Sequence, residues 1–225
     1  MKTDIHFVLD RSGSMWDILN DTIGGFNQFV SSQQDDPNGE CYLNLYQFDH
    51  EYQIVYQNKN IKEVELLNKE TFQPRGNTAL LDAIGRTISS IPYKKLENNN
   101  IENNNNENDN DKGKDKDKII FVILTDGEEN SSKEFSYNTI SKMIEEREKD
   151  GWEFVFLGAN QDAIKTAGGL GIKQNSAMTY AQTPQNVRAC FNSLSSAISR
   201  TRSCEYTKIN FSDLERMESL EQNTE

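Results

Sequence analysis

Two stretches of this chain are almost entirely apolar and lead directly to an aspartate. Residues 5–9 are followed by Asp10, and residues 119–124 are followed, after one threonine, by Asp126. Near-continuous apolar runs of this length are typical of strands that are covered on both faces, as in parallel sheets. Each run therefore predicts a central strand of a buried sheet with an acidic side chain at its end.

The rest of the chain alternates helical and strand patterns. Apolar residues recur at intervals of three and four in residues 19–30, 80–91 and 187–198, which predicts helices, and WEFVFLG at 152–158 predicts another strand. Strands that alternate with helices form a parallel sheet with helices on both faces, linked by right-handed crossovers. We therefore predict a doubly wound α/β fold with a mostly parallel sheet.

One pair of strands departs from this parallel arrangement. CYLNLYQF and EYQIVYQ are rich in aromatic and β-branched residues and are separated only by Asp49 and His50. So short a connection predicts a hairpin, because parallel strands need a longer crossover. The sheet should thus have one antiparallel edge strand.

The domain organisation follows from composition along the chain. Residues 96–118 contain almost no apolar side chains and are rich in Asn, Asp and Lys. Such a segment buries too little surface to offset its ordering entropy, so we predict a disordered insertion. It interrupts a single domain predicted to span residues 1–203. Residues 204–225 are a predicted C-terminal tail, in which SDLERMESL indicates a short capped helix.

Composition also restricts the partners and the compartment. The 225-residue chain has a formal net charge of -12, which argues against nonspecific binding to nucleic acid or anionic lipid. It contains no apolar run long enough to span a bilayer and no secretory signal pattern. Cys41, Cys190 and Cys204 are odd in number and widely spaced, which favours a reducing compartment. We expect a soluble, cytoplasmic monomer.

Five oxygen-bearing side chains lie where strands end or a helix begins. Asp10, Ser12 and Ser14 alternate in DRSGS, Asp126 follows the second apolar run, and Thr78 stands in RGNT before a helix. In doubly wound sheets, ligands bind outside the carboxyl ends of the strands, where the strand order reverses. Two carboxylates and three hydroxyls, with no His or Cys, favour Mg²⁺, or else Mn²⁺ or Ca²⁺, over zinc. The sequence therefore predicts a divalent-metal site.

Three short motifs connect these residues with a known family. DRSGSM resembles the DxSxS motif of von Willebrand factor type A domains, and RGNT and LTDG resemble the threonine and aspartate motifs of that family. They occur in the family's order, and the resemblance covers residues 2–202 apart from the Asn-rich insertion. The threonine loop departs from the pattern, because Arg75 stands where many relatives have smaller, Gly-rich residues.

The resemblance implies a metal-ion-dependent adhesion site. Ser12, Ser14 and Thr78 would be direct metal ligands, and Asp10 and Asp126 would bind the metal directly or through water. Domains of this family usually bind other proteins, and an Asp or Glu of the partner completes the metal coordination. The resemblance thus implies a protein-binding module without enzymatic activity.

Two other functions fit parts of the same pattern. A Mg²⁺-dependent phosphoryl-transfer enzyme or hydrolase also places an aspartate after the first strand of an α/β sheet. A dehalogenase-like phosphatase, however, needs a second acid where this chain has Ser12, and no P-loop motif is present. His6 and His50 lie in a strand and in the hairpin turn, which does not favour a catalytic base. The remaining alternative is a scaffold of the same fold that binds no metal.

Several charged residues next to the motifs have open interpretations. Arg75 either steers an acidic ligand or solvates its loop, and solvation is the more common role of an exposed arginine. Glu128 and Glu129 are expected to solvate the loop after Asp126. Asp82 either orders Thr78 and the metal waters or is a first-turn acid of its helix.

Overall fold

The computed structural model of the chain describes residues 2–92, 117–159 and 163–220. Within them a six-stranded sheet carries helices on both faces. The strands are β1 (Lys2–Asp10), β2 (Glu40–Phe48), β3 (Tyr52–Asn60), β4 (Lys118–Thr125), β5 (Glu153–Ala159) and β6 (Ala177–Tyr180). The helices are α1 (Leu19–Asp35), α2 (Leu80–Ser90), α3 (Tyr137–Lys149), α4 (Ala163–Gly169), α5 (Pro184–Arg202) and α6 (Asp213–Glu218).

The sheet has the predicted topology. Its strand order is β3-β2-β1-β4-β5-β6, and every neighbouring pair is parallel except β2 and β3, which are antiparallel. The doubly wound α/β fold with one antiparallel edge strand is therefore confirmed. The strand order reverses between β1 and β4, and the register pairs Leu9 with Leu124. The ends of these two strands consequently lie side by side at the switch point.

Alternate side chains of β1 anchor two separate cores. Ile5, Phe7 and Leu9 face α1 and α5, whereas Val8 faces α2 and α3. The α1 layer depends on a close approach, because a Cβ built on Gly25 would lie 2.2 Å from the Phe191 ring. Burial on both faces explains why the second half of β1, residues 7–9, is continuously apolar.

The segment after α5 packs against the domain. Ile209 and Phe211 are buried in the same core as α1 and α5. The main-chain amide of Ala181 donates a 3.0 Å hydrogen bond to the carbonyl of Ser219, which ties the segment to the end of β6. The short helix expected in SDLERMESL is observed as α6, and a capping box at Ser212 begins it. Residues 204–220 thus contribute to the core of the domain.

Residues 96–116 of the insertion predicted at residues 96–118 lie outside the described residues. Strand β4 begins at Lys118, the last residue of the predicted insertion. The Lys118 ammonium donates a 2.7 Å hydrogen bond to the carbonyl of Thr201, which attaches this lysine to α5. Among the helices that the structure describes, none is both long enough and apolar enough to cross a membrane.

His6 is a buried titratable group in β1. Its ring lies 6.0 Å from the ring of Tyr46, 6.5 Å from that of Phe121 and 6.4 Å from that of Trp152, measured between centroids. Burial, with a smaller contribution from the charge of Lys2, lowers the pKa of His6 to about 4. The unfolded chain therefore binds this proton at a higher pH than the folded chain does, and acid favours unfolding.

We expect His6→Gln to reduce the loss of stability in mild acid. The stabilisation due to neutral His6 is complete above its ordinary pKa near 6.5 and is lost as the pH falls toward 4. Between pH 8 and pH 5 the unmutated chain should lose about 2 kcal/mol more unfolding free energy than the variant. Urea titrations of both proteins at the two pH values measure this difference, and equal losses would contradict the prediction.

Candidate metal centre

Three loops meet at the carboxyl edge of the sheet, next to the switch point. The first follows β1, the second precedes α2, and the third follows β4. They carry the five residues that the sequence predicts as metal ligands: Asp10, Ser12, Ser14, Thr78 and Asp126. The structure brings all five into one cluster at this edge of the sheet, called the pocket below, as the following contacts show.

Asp10 is the buried base of this pocket. Its side chain is fully buried, and its two oxygens accept hydrogen bonds from the loop after β1 and from the end of β4. Oδ1 accepts a 2.6 Å bond from the main-chain amide of Ser12, and Oδ2 accepts a 2.5 Å bond from Oγ1 of Thr125. The carboxylate thereby holds the loop after β1 against the end of β4. Thr125 was not predicted, because its apolar neighbours make it look like another strand residue.

Asp126 and the two serines form the open side of the pocket. Ser14 Oγ donates a 2.6 Å hydrogen bond to Oδ1 of Asp126, and Ser12 Oγ lies 3.2 Å from Ser14 Oγ. Oδ2 of Asp126 accepts a 3.0 Å bond from Nε2 of Gln182 in the loop before α5. Ser12 is buried and Ser14 is exposed, so the serine pair leads from the interior to the surface.

The three hydroxyls converge opposite Gly127. A Cβ built on this glycine would lie 2.9 Å from Oγ1 of Thr78, 3.5 Å from Oγ of Ser14 and 3.6 Å from Oγ of Ser12. Glycine is therefore required here for space, since a methyl group would enter the pocket between the hydroxyls. Thr78 is buried, yet its hydroxyl makes no hydrogen bond within the part of the chain that the structure describes. This leaves the Thr78 oxygen available to a ligand.

The electrostatics of the pocket fit a cation. Burial raises the pKa of Asp10 to about 7; hydrogen bonds from Thr125 and Ser12 oppose the shift, and the charge of Asp126 adds to it. Burial likewise raises the pKa of Asp126. Two adjacent buried carboxylates are costly without a compensating positive charge. The described residues contain no cluster of three His, Cys, Asp or Glu side chains suited to a metal. The donors here are two carboxylates and three hydroxyls, a hard oxygen set that suits Mg²⁺, Mn²⁺ or Ca²⁺.

Thr78 is positioned by the loop that follows β4. Its main-chain amide donates a 2.9 Å bond to Oδ1 of Asn130, and the amide of Asn130 donates a 3.0 Å bond to the carbonyl of Thr78. Glu129 accepts a 3.0 Å bond from the amide of Leu81, in the first turn of α2, and also bonds Ser131 and Ser132. The expectation that Glu129 only solvates its loop is therefore wrong, because this carboxylate joins the loop to the helix.

Asp82 acts on the same loop from the first turn of α2. Its carboxylate accepts hydrogen bonds of 2.8 to 3.0 Å from the main-chain amides of Lys133, Glu134 and Phe135. Although burial opposes the effect, these bonds lower the pKa of Asp82. Asp82 is a first-turn acid, and its partners are the amides of a distant loop. Its carboxylate joins the first turn of α2 to residues 133–135 of the loop that follows β4.

A buried ion pair that the sequence did not indicate joins the loop after β1 to the loop before α2. Asp49 is fully buried, and its Oδ2 accepts 2.9 Å hydrogen bonds from Nε of Arg11 and from Nε of Arg75. Oδ1 accepts a 2.6 Å bond from the amide of Glu51, and the main-chain carbonyl of Asp49 accepts a 2.9 Å bond from the amide of Ala79. Asp49 therefore connects the hairpin turn both with the loop after β1 and with the loop before α2.

Backbone contacts complete this connection. The amide of Arg75 donates a 2.8 Å bond to the carbonyl of Arg11, and the amide of Gly13 donates a 3.1 Å bond to the carbonyl of Gly76. Arg75 thus does more than solvate its loop, although its side chain remains half exposed. The DRSGS and RGNT loops form one unit before any ligand is considered.

Solved structures of von Willebrand factor type A domains share this architecture. Proximal thread matrix protein 1 from the mussel byssus superposes with a TM-score of 0.56 at 15% identity, over 88% of this chain and 46% of that one. A second structure of that protein, with a zinc-occupied MIDAS motif, gives a TM-score of 0.51 at 14% identity, over 90% and 45%. The chain therefore spans about half the length of these proteins.

Two bacterial pilus proteins give similar values. The PilB minor pilin from Streptococcus sanguinis has a TM-score of 0.55 at 14% identity, over 89% of this chain and 62% of that one. The vWF domain of the type V pili tip protein Mfa5 from Porphyromonas gingivalis has a TM-score of 0.54 at 12% identity, over 87% and 94%. No family model matches the chain, and no curated protein matches it by sequence. The chain has the von Willebrand factor type A fold.

Proposed function

We propose that this chain is a divalent-metal-dependent protein-binding module in which an Asp or Glu of the partner completes the metal coordination. The observation that carries the proposal is the convergence of three hydroxyls on one point beside two buried carboxylates. Similar architecture in a protein with a zinc-occupied MIDAS motif supports metal binding at this edge of the sheet.

The residues divide the work of such a site between them. Ser12, Ser14 and Thr78 would bind the ion through neutral oxygens, and Asp10 and Asp126 would compensate its charge from the buried side. A bound divalent ion supplies the positive charge that attracts the carboxylate of a partner. Ser14 lies at the surface, so the face of the pocket toward solvent is accessible to another protein.

The enzyme alternative has weaker support. A phosphoryl-transfer enzyme would use Asp10 as its nucleophile, but this side chain is fully buried and both its oxygens accept hydrogen bonds. His6, which lies in β1, is also buried and is surrounded by aromatic rings of other elements. Neither residue is placed to attack or to deprotonate a substrate, and we propose that the chain has no enzymatic activity.

Thr78→Ala should strongly weaken metal-dependent partner binding while the fold remains intact. The substitution removes a hydroxyl that faces the pocket but keeps both main-chain bonds to Asn130. Loss of a hydrogen bond to a metal ligand lowers metal affinity about 10- to 100-fold. Loss of the ligand itself should weaken binding at least as much. Affinity capture with the immobilised chain in Mg²⁺, Mn²⁺, Ca²⁺, Zn²⁺ or EDTA, followed by titration of the captured protein, measures the effect.

Thr207→Ala is the matched control, because Thr207 is exposed and lies outside the three loops. It should bind the partner as the unmutated chain does. A partner that stays bound in EDTA and tolerates Thr78→Ala would show that another surface carries the function.

A further inference from the structure

Helix α6 and the turn that follows it expose three apolar side chains on one side. Leu214, Met217 and Leu220 are 64%, 59% and 48% exposed, and we call them the α6 face. Because they are spaced three positions apart, they lie next to one another along the helix. They are three of the nine large apolar side chains that are exposed in the described part of the chain. Single exposed apolar residues are common, but a cluster of them is typical of a binding surface.

Polar contacts on the opposite side fix this orientation. The Arg216 guanidinium donates hydrogen bonds of 2.9 and 3.0 Å to main-chain carbonyls just before β6, and the Ser219 hydroxyl donates a 2.8 Å bond to the carbonyl of Thr179 in β6. Glu215 forms a 3.1 Å ion pair with Arg200 of α5. A surface helix usually packs its apolar side on the core. In α6 the polar side contacts the domain, so the apolar side is left toward solvent.

Protection of the sheet edge explains only the polar side of α6. Strand β6 is an edge strand, and natural proteins often cover such an edge to prevent pairing with another chain. Arg216 and Ser219 provide this cover through their hydrogen bonds, and the α6 face takes no part in it. Burial of a large apolar side chain contributes about 1.5 to 3 kcal/mol, which these three residues can gain only when another molecule covers them.

The charges beside the α6 face restrict what that molecule can be. Asp213 and Glu218 are exposed next to it, and neither carboxylate forms an ion pair with a residue that the structure describes. A second copy of the chain would bring these acids together across a twofold axis, and like charges in an interface cost binding energy. Lysine or arginine on the partner would instead pair with them.

We propose that the α6 face binds an amphipathic helix of another protein, in which lysine or arginine residues flank the apolar stripe. The face is about 9 Å long, since it spans six helical rises of 1.5 Å. This length fits the apolar anchors of about two turns of a partner helix, spaced by three or four residues. The proposal goes beyond the metal-dependent function, because it uses none of the five predicted ligands and requires no metal.

Three fluorescent peptides test the proposal. Each is about 18 residues long, which is enough for a helix, and all share a leucine stripe at helical spacing. The positions beside the stripe are lysine in the first peptide, glutamine in the second and glutamate in the third. In anisotropy titrations in EDTA, the lysine peptide should bind most tightly and the glutamate peptide most weakly. A lysine peptide of the same composition, rearranged so that no stripe forms, should bind about tenfold more weakly or less.

Paired substitutions assign the binding to the α6 face. Leu214→Gln together with Met217→Gln should weaken binding of the lysine peptide about tenfold or more. Leu66→Gln is the matched control, because Leu66 is also exposed but follows β3, at the opposite edge of the sheet. It should bind the peptide as the unmutated chain does. Melting temperatures of these variants verify that they fold.

A second pair of substitutions tests the charges. Asp213→Asn together with Glu218→Gln should weaken the lysine peptide about two- to tenfold and leave the glutamine peptide unchanged. Glu63→Gln together with Glu70→Gln changes the net charge equally at exposed positions after β3 and should have little effect.

Several results would overturn the proposal. It is wrong if no peptide binds, if the glutamate peptide binds as tightly as the lysine peptide, or if the Leu214 and Met217 double variant binds as the unmutated chain does. A dimer in sedimentation equilibrium that this double variant dissociates would assign the face to a second copy. Flotation with phosphatidylcholine vesicles that the same variant loses would assign it to a lipid surface. All measurements are made without metal, so their failure leaves the proposed metal-dependent function untouched.

Discussion

Asp10→Asn should lower the affinity of the chain for Mg²⁺ by about 100-fold or more. Removal of a group that only hydrogen-bonds to a metal ligand already lowers metal affinity about 10- to 100-fold, and Asp10 is itself a predicted ligand. The substitution removes one of two buried negative charges but keeps the size and planarity of the side chain. The amide can still accept from the Ser12 amide and donate to the Thr125 hydroxyl. Isothermal calorimetry with Mg²⁺, and with Mn²⁺, Ca²⁺ and Zn²⁺ for comparison, measures the loss.

The metal-free variant should be at least as stable as the unmutated chain. A neutral amide costs less to bury than a carboxylate, and Asp10 is fully buried beside a second acid. Thermal unfolding in EDTA therefore separates the loss of metal from a loss of fold.

Asp17→Asn is the matched control for charge. It removes one exposed negative charge near Asp126 and leaves all five predicted ligands in place. Its effect on Mg²⁺ affinity should be small, because exposed charges are screened by water and salt. If Asp10→Asn and Asp17→Asn bind Mg²⁺ equally well, the assignment of Asp10 to the metal site is wrong.

The fold was predictable because its central strands are buried on both faces. The run before Asp10 contains almost no polar residue, which only a covered strand tolerates, and the tight connection at Asp49 and His50 allows only a hairpin. The five candidate ligands could be placed for a related reason. Parallel strands end at the same edge of a sheet, so residues that directly follow two neighbouring strands must lie close together.

Contacts between side chains that are far apart in the sequence could not be predicted in this way. Asp49 and Arg11 are 38 positions apart, and Glu129 and Leu81 are 48 apart. Their contacts depend on which strands are neighbours and how the loops turn, and composition or periodicity does not record either. An acid in a turn looks solvated from sequence. Only the packed structure shows that Asp49 is buried and that Gln182 reaches Asp126.

Asp49→Ala should reduce the free energy of unfolding by about 3 to 5 kcal/mol, the usual cost of removing one partner of a buried ion pair. The variant leaves the buried guanidinium of Arg11 without its carboxylate and with only the Gln53 side-chain oxygen as a hydrogen-bonding partner among the described residues. It also leaves the amide of Glu51 without an acceptor. Urea unfolding, in which a change of midpoint at constant slope reports stability, measures the loss.

Glu51→Ala is the control on Arg75, the exposed arginine that also binds Asp49. Glu51 pairs with Arg75 at the surface, where an ion pair contributes about 0 to 1 kcal/mol, so this variant should be nearly as stable as the unmutated chain. Arg11→Met in the Asp49→Ala background should recover part of the loss, because it removes the uncompensated buried charge and keeps an unbranched side chain of similar length. If Asp49→Ala costs no more than Glu51→Ala, the buried pair does not stabilise the two loops. If Arg11→Met recovers nothing, the cost lies in the turn amide of Glu51 and not in the orphaned guanidinium.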